Sequence, residues 1–244
     1  MAFKEEFEDS GRLLFRWRSY WPLFVLAIVL IDMGHTIYFD HDYTQNLSWE
    51  TFCLVVCLSG LILRVLVTGY VPEGPSGRNT LEQKAESLNT TGFYSLVRHP
   101  LYLGNFLIWL GISLFMNHLL LSLLCMILFW FHYERIILAE EEFLRRKFGR
   151  EFEVWASCTP CFIPNLEKWT PSTLQFSPKK AMKDEYSGLF AIVLTFVFLE
   201  TFRNWMMLGI FRLDWPWEIF FLVGLFAYLT LRAMKKRGLL ETDR

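Results

Sequence analysis

Apolar residues along this chain come in long blocks, with polar residues collected between them rather than alternating with them. Crossing about 30 Å of hydrocarbon as a helix takes roughly 20 apolar residues. Laid along the chain, that ruler picks out Trp21 to Phe39 and Trp49 to Val67 as full spans, and Ser187 to Phe202 and Trp215 to Leu231 as shorter ones. Leu101 to Leu138 is apolar for most of its length but breaks at Asn117-His118, which predicts two short helices in a tight hairpin. Neither half is a comfortable span, so tilt, local thinning or packing has to accommodate it. The pattern predicts an all-α fold: a polytopic transmembrane helical bundle of about six spans. Three regions follow: residues 1–70 with two transmembrane helices, 71–185 as the core, and 186–244 with two more.

The polar stretches refine this picture. Val71 to His99 starts as a loop through PEGPSGRNT and has room for a short helix over Leu81 to Leu88. The helix leaving the hairpin continues through HYERIILAEEEFLRRKFG and stops at Gly149. After it come the amphipathic REFEVWA and the proline-punctuated TPCFIPNLEKWTP, a segment suited to lie along the membrane surface.

Composition agrees, with 53% of the 244 residues hydrophobic and 18% aromatic. Lysine and arginine set the orientation. With the N-terminus inside, the inner segments hold Lys4, Arg12, Arg16 and Arg18, then Arg78, Lys84 and Arg98, then nine between Arg135 and Lys183 and five from Arg232 on. The outer loops hold only Arg203 and Arg212, so both termini are expected in the cytoplasm, in a bacterium at the inner membrane. The first twenty residues are too charged for a cleavable signal, and Trp21 to Phe39 reads as a retained span. A net charge of −1 offers no basic surplus for nucleic acid. Five cysteines make no disulfide framework, and no obligate protein partner is evident. Cys158 and Cys161 form C-T-P-C, but no second such pair or paired histidines accompany them, whereas structural zinc takes four ligands; no metal is expected.

Candidate chemistry gathers where helices leave lipid. In SLVRHPLYLGNF, Pro100 opens a helix and leaves Arg98 and His99 at its N-terminal end, where backbone N–H groups and the helix dipole favour an anion. Tyr102, Asn105, Phe106 and Trp109 share one face; Leu101, Gly104, Ile108 and Gly111 share another. Gly104 would let a ligand approach the backbone. The bland alternative is interfacial anchoring by Arg98, Tyr102 and Trp109 with glycines for packing. In Glu140-Glu141-Glu142, two members have i,i+4 partners, Glu141 with Arg145 and Glu142 with Arg146, whereas Glu140 faces Leu144 and suits an external cation. His132, Glu134 and Arg135 sit just inside the membrane boundary, and Asp32 and His35 lie within the first span.

These residues resemble the integral-membrane methyltransferases typified by isoprenylcysteine carboxyl methyltransferase, with phospholipid methyltransferases as relatives. TGFYSLVRHPLYLGNF is similar to that family's Gly-x-Tyr-x-x-x-Arg-His-Pro-x-Tyr-x-Gly pattern. AEEEFLRRKFGREFEVW with TPCFIP is similar to its Glu-Glu-x-x-Leu-x-x-x-Phe-Gly block and proline-ended tail. The resemblance covers about Thr90 to Pro164. It implies an S-adenosyl-L-methionine site at the cytoplasmic surface, with the hairpin at the cofactor and Arg98, His99, Tyr102, Gly104, Asn105, Glu140 and Glu141 around it. The acceptor would be a lipophilic small molecule or membrane lipid bearing a carboxylate, phosphate or amine. Arg135 could orient an anionic acceptor, and Glu134 or His132 could serve an amine as base. The family's arginine stands four residues before the first glutamate, whereas Arg135 stands five before Glu140. Two other readings are a sterol-type reductase using NADPH, which shares an Arg-His-x-x-Tyr-x-Gly segment, and a non-catalytic lipid-binding membrane protein.

Overall fold

In the computed structural model, the described residues are 10–11, 13–15, 26–28, 43–72 and 85–241. They form α1 (Tyr43–Gly69), α2 (Phe93–Leu96), α3 (Pro100–Leu114), α4 (Leu119–Phe148), α5 (Arg150–Cys158), a 3-10 turn (Leu166–Lys168), α6 (Pro178–Leu208) and α7 (Trp215–Lys236). The only extended pairing among them is an isolated bridge between Gly92 and Thr170. Four helices, α1, α4, α6 and α7, are long and apolar enough to cross a membrane, and α3 is a shorter apolar helix of 15 residues. The expected first span, with Asp32 and His35, lies outside the described residues apart from 26–28, which are helical. A count of six is thus not established. Residues 85–88 are not helical, so the described part of the expected helix over Leu81 to Leu88 is absent.

The hairpin forms where the sequence breaks, but only its first arm is short: the second is the 30-residue α4, long enough to cross a membrane because its helix runs on past the apolar block. Phe115 and Met116 are buried and Asn117 takes a positive φ of 51°, a conformation asparagine tolerates better than most residues. Ser122 Oγ donates to the Ser113 carbonyl at 2.9 Å, and Trp49 Nε1 donates to the Leu114 carbonyl at 2.9 Å, so polar groups at the turn are met from both arms and from α1.

Close approach of α1 to α3 depends on glycine. A Cβ on Gly60 would lie 2.4 Å from the Gly104 carbonyl, and one on Gly111 would lie 2.5 Å from the Cys53 carbonyl. Around this contact Cys53, Cys57, Cys125, Phe115, Phe196 and Trp217 form the buried core. Outward faces are apolar in the manner of a lipid-exposed bundle, with Leu123, Ile127 and Phe131 exposed on α4 and Leu222, Val223 and Phe226 on α7.

Helix length places the site. The 30 residues of α4 measure about 45 Å, which exceeds the hydrocarbon by about 15 Å. Starting from Leu119, the apolar run is used up near Leu138, and the glutamates follow immediately. Gly149 then ends the helix at a φ of 53°, and α5 turns away with Phe152 fully buried.

Candidate cofactor site

Two motif blocks far apart in sequence meet at one end of the bundle. The approach to α3 is extended, with Val97 at φ −155° and His99 at φ −123°, and it is stitched to the segment after α5. The Arg98 N–H donates to the Pro160 carbonyl at 2.9 Å, and the Asn165 N–H donates to the Leu96 carbonyl at 2.9 Å. Thr170 N–H donates to Ser95 Oγ at 2.9 Å, while Trp155 Nε1 donates to the Tyr94 carbonyl at 3.1 Å. The proline-punctuated tail is therefore a backbone clamp on the Arg98-His99 segment.

Inside that clamp, Tyr102 donates its hydroxyl to Glu140 Oε2 at 2.8 Å. His99 stacks on the Tyr102 ring at 5.5 Å, with Nδ1 3.7 Å from Glu140 Oε2 and Nε2 3.0 Å from Glu141 Oε1. Arg98 Nη1 donates to Glu141 Oε2 at 3.1 Å. The i,i+4 pairing expected between Glu141 and Arg145 is not made, because Glu141 turns toward α3; Arg145 instead holds Glu142 at 2.8 Å. Cys161 Sγ lies 3.7 Å from Glu141 Oε1, and burial together with that carboxylate pushes its thiol up to about 11. Arg98 Nε is buried and meets no hydrogen-bond acceptor among the described residues, which leaves donor capacity for an anion. On its other side Arg98 lines an open cleft of about 820 Å³, with Cys158, Thr159, Asn165 and Glu167.

The two faces of α3 divide as the spacing predicts. Tyr102, Asn105, Phe106 and Trp109 meet α4: Tyr102 against Tyr133 at 5.0 Å, and Phe106 and Trp109 against Phe129 at 5.4 and 5.6 Å. Gly104 faces α1, where a Cβ would lie 2.6 Å from Arg64 Cγ and 2.9 Å from the Gly60 carbonyl. Its evident service is helix packing. Asn105 is held from both sides, accepting from Arg64 Nη1 at 2.6 Å and donating to the Tyr133 hydroxyl at 2.9 Å. Arg64 in turn grips Glu185 of α6 through Nε at 2.9 Å and Nη2 at 2.8 Å.

Arg64, Tyr133 and Glu185 were not singled out in the sequence. Tyr133 stands seven residues before Glu140, on the same stripe of α4, and that periodicity is a signal that could have found it. Arg64 is a cation inside a span, which by itself marks a buried partner. Arg135 lies about 140° around α4 from Glu140, and its carbonyl sits where a Cβ on Gly11 would meet it at 2.3 Å. Glu134 is exposed about 10 Å along the helix from Glu141, and His132 is buried beside Tyr133, the rings 5.2 Å apart.

A family model described as phospholipid methyltransferase matches residues 51–151, from α1 to the start of α5. Protein-S-isoprenylcysteine O-methyltransferase B of Arabidopsis thaliana is 28% identical over 150 residues, covering 60% of this chain and 74% of the relative. The cobalt-zinc-cadmium resistance protein CzcN of Cupriavidus metallidurans is 33% identical over 178 residues, covering 70% of this chain and 80% of the relative. The chain belongs to this family of membrane methyltransferases. Another relative, the nickel-cobalt-cadmium resistance protein NccN of Alcaligenes xylosoxydans xylosoxydans, is 37% identical over 145 residues; the chain spans 62% of its length. No solved structure matches the chain. The cluster of Arg98, His99, Tyr102, Glu140 and Glu141 joins the start of α3 to the part of α4 that follows its apolar run.

Proposed function

We propose that this membrane methyltransferase takes its methyl group from S-adenosyl-L-methionine at the cytoplasmic rim of the membrane and delivers it to a polar group on a lipophilic acceptor. The observation that carries the reading is the 2.8 Å hydrogen bond from Tyr102 to Glu140, which joins the two motif blocks in one cluster. Donor and acceptor types fit a zwitterionic cofactor. Arg98, with its unused Nε, and the N-terminus of α3 suit a carboxylate, while Glu140 suits an ammonium or ribose hydroxyls. Arg98 is already matched by Glu141, so a zwitterion can exchange into this pair without leaving a buried charge unmatched.

When bound, the sulfonium supplies both the electrophilic methyl and its own leaving group. What remains for the chain is to align the reactants and keep water from them. The backbone clamp fixes Arg98 and His99, and Tyr102 fixes Glu140. Stacked Phe129 and Tyr133, and Phe162 against Phe106, pack an aromatic cluster next to Tyr102. A carboxylate or phosphate acceptor needs no base. For an amine acceptor, exposed Glu134 is the group we assign as base, and Arg135 would meet the acceptor's head group from the flank rather than the cofactor.

Incubating the purified protein with native membrane extract and methyl-labelled S-adenosyl-L-methionine tests the reading. Label should enter the organic phase and should fall at least about tenfold with Glu140→Gln, the loss expected for one charge-assisted hydrogen bond. Label confined to water-soluble products would contradict a lipid-borne acceptor. A preference for NADPH over S-adenosylhomocysteine in binding would favour reduction instead.

A further inference from the structure

We infer that His99, Glu141 and Cys161 form a binding site for a thiophilic divalent cation such as Zn²⁺ or Cd²⁺, and that this ion and the methyl donor exclude one another. One donor atom from each residue lies within 4.8 Å of the others, with His99 Nε2 3.0 Å and Cys161 Sγ 3.7 Å from Glu141 Oε1. Edges of a tetrahedral zinc site with ordinary bond lengths measure about 3.4–3.6 Å, so small rotations of these side chains would enclose an ion. Three protein ligands with a fourth position open is the arrangement of accessible zinc sites, and a thiolate with an imidazole selects zinc or cadmium over magnesium or calcium.

Several surrounding groups are placed as outer contacts of such a site, while the Arg98 guanidinium, which interacts with both Glu141 and Cys161, is the cation that an entering ion must displace or offset. Arg98 holds Oε2 of Glu141 and leaves Oε1 turned to the other two ligands. The second nitrogen of His99, Nδ1, faces the Glu140 carboxylate at 3.7 Å, and Glu140 is itself fixed by Tyr102. A carboxylate behind a ligating histidine and a hydrogen bond on the far oxygen of a ligating carboxylate are the outer contacts that orient metal ligands. The three ligands come from different elements: the turn before α3, the end of α4, and the clamp one residue past Pro160, whose carbonyl is bonded to Arg98. Binding would form the metal–sulfur, metal–nitrogen and metal–oxygen bonds and release the Cys161 proton to solvent.

Because His99 and Glu141 are also assigned to the methyl donor, exclusion between ion and donor rests on the cofactor reading above, whereas the ion site itself does not. The test uses the full chain in detergent micelles with Cd²⁺ as probe, following the thiolate-to-cadmium charge-transfer band. One equivalent should produce the band in the presence of excess Mg²⁺; Cys161→Ser should abolish it and Cys158→Ser should keep it. Zn²⁺ should also protect Cys161, and not Cys158, from alkylation in the unaltered protein, read by mass spectrometry. That second measurement does not depend on any variant folding. No band, a band that follows Cys158, or unprotected Cys161 would overturn the ion site. With Cd²⁺ at ten times its own Kd, the apparent Kd for S-adenosylhomocysteine should rise about tenfold. Simultaneous binding of both would leave the ion site standing and refute the exclusion, and a band without any S-adenosylhomocysteine binding would refute the cofactor reading alone.

Discussion

At the scale of single residues, the site is a set of short polar contacts whose loss has a definite cost. Tyr102→Phe removes one hydrogen bond to a carboxylate and should weaken S-adenosylhomocysteine binding roughly tenfold, about 1.5 kcal/mol, with little change in the unfolding midpoint. Arg64 behaves differently, because removing it strands the buried Glu185 carboxylate. Arg64→Ala should cost about 3–5 kcal/mol in stability, and the paired change Arg64→Met with Glu185→Leu should recover most of it, both read from unfolding in micelles. Arg98, His99 and Glu140 were legible in the sequence because charged groups beside an apolar block stand out. The Arg64–Asn105–Tyr133 contacts were not, since the partners lie 41 and 28 residues apart and no local pattern says which residue meets which.

At the scale of elements, the contact between α1 and α3 is a glycine seam. Gly111→Ala and Gly104→Ala would each press a Cβ against backbone of α1, at 2.5 Å from the Cys53 carbonyl and 2.9 Å from the Gly60 carbonyl, so each should lower the unfolding midpoint in micelles. The break at Asn117-His118 and the stop at Gly149 were readable because turn and helix-end chemistry is local. The start of α6 was not. It begins at Pro178 rather than Ser187, capped by Ser177 Oγ accepting from the Lys180 N–H at 3.4 Å. Lys180 and Asp184 pair at 2.7 Å in its first turns, so the helix runs on beyond the apolar block that hydropathy detects.

At the scale of the whole molecule, a second polar cluster at the opposite end ties the C-terminal helices to α1. Arg203 of α6 donates to both Glu50 and Glu200, while Trp217 Nε1 of α7 donates to Glu50 Oε2 at 2.8 Å. All four side chains are buried, so Arg203→Ala should destabilise the bundle by about 3–5 kcal/mol without altering the contacts among Arg98, His99, Tyr102, Glu140 and Glu141. The expected orientation puts exposed Cys158 in the cytoplasm, while Cys53, Cys57 and Cys125 are buried. A membrane-impermeant maleimide should therefore label inverted vesicles and not intact cells, with the label reduced in Cys158→Ser and lost when Cys161, which is partly exposed, is changed to Ser as well.

Most direct of all is calorimetric titration of the purified protein with S-adenosylhomocysteine, alongside His99→Ala, Glu140→Gln and Glu141→Gln. The expected result is one site per chain, weakened at least about tenfold by each change. Absence of binding, or an affinity indifferent to all three, would contradict a methyl-donor site built from the two motif blocks.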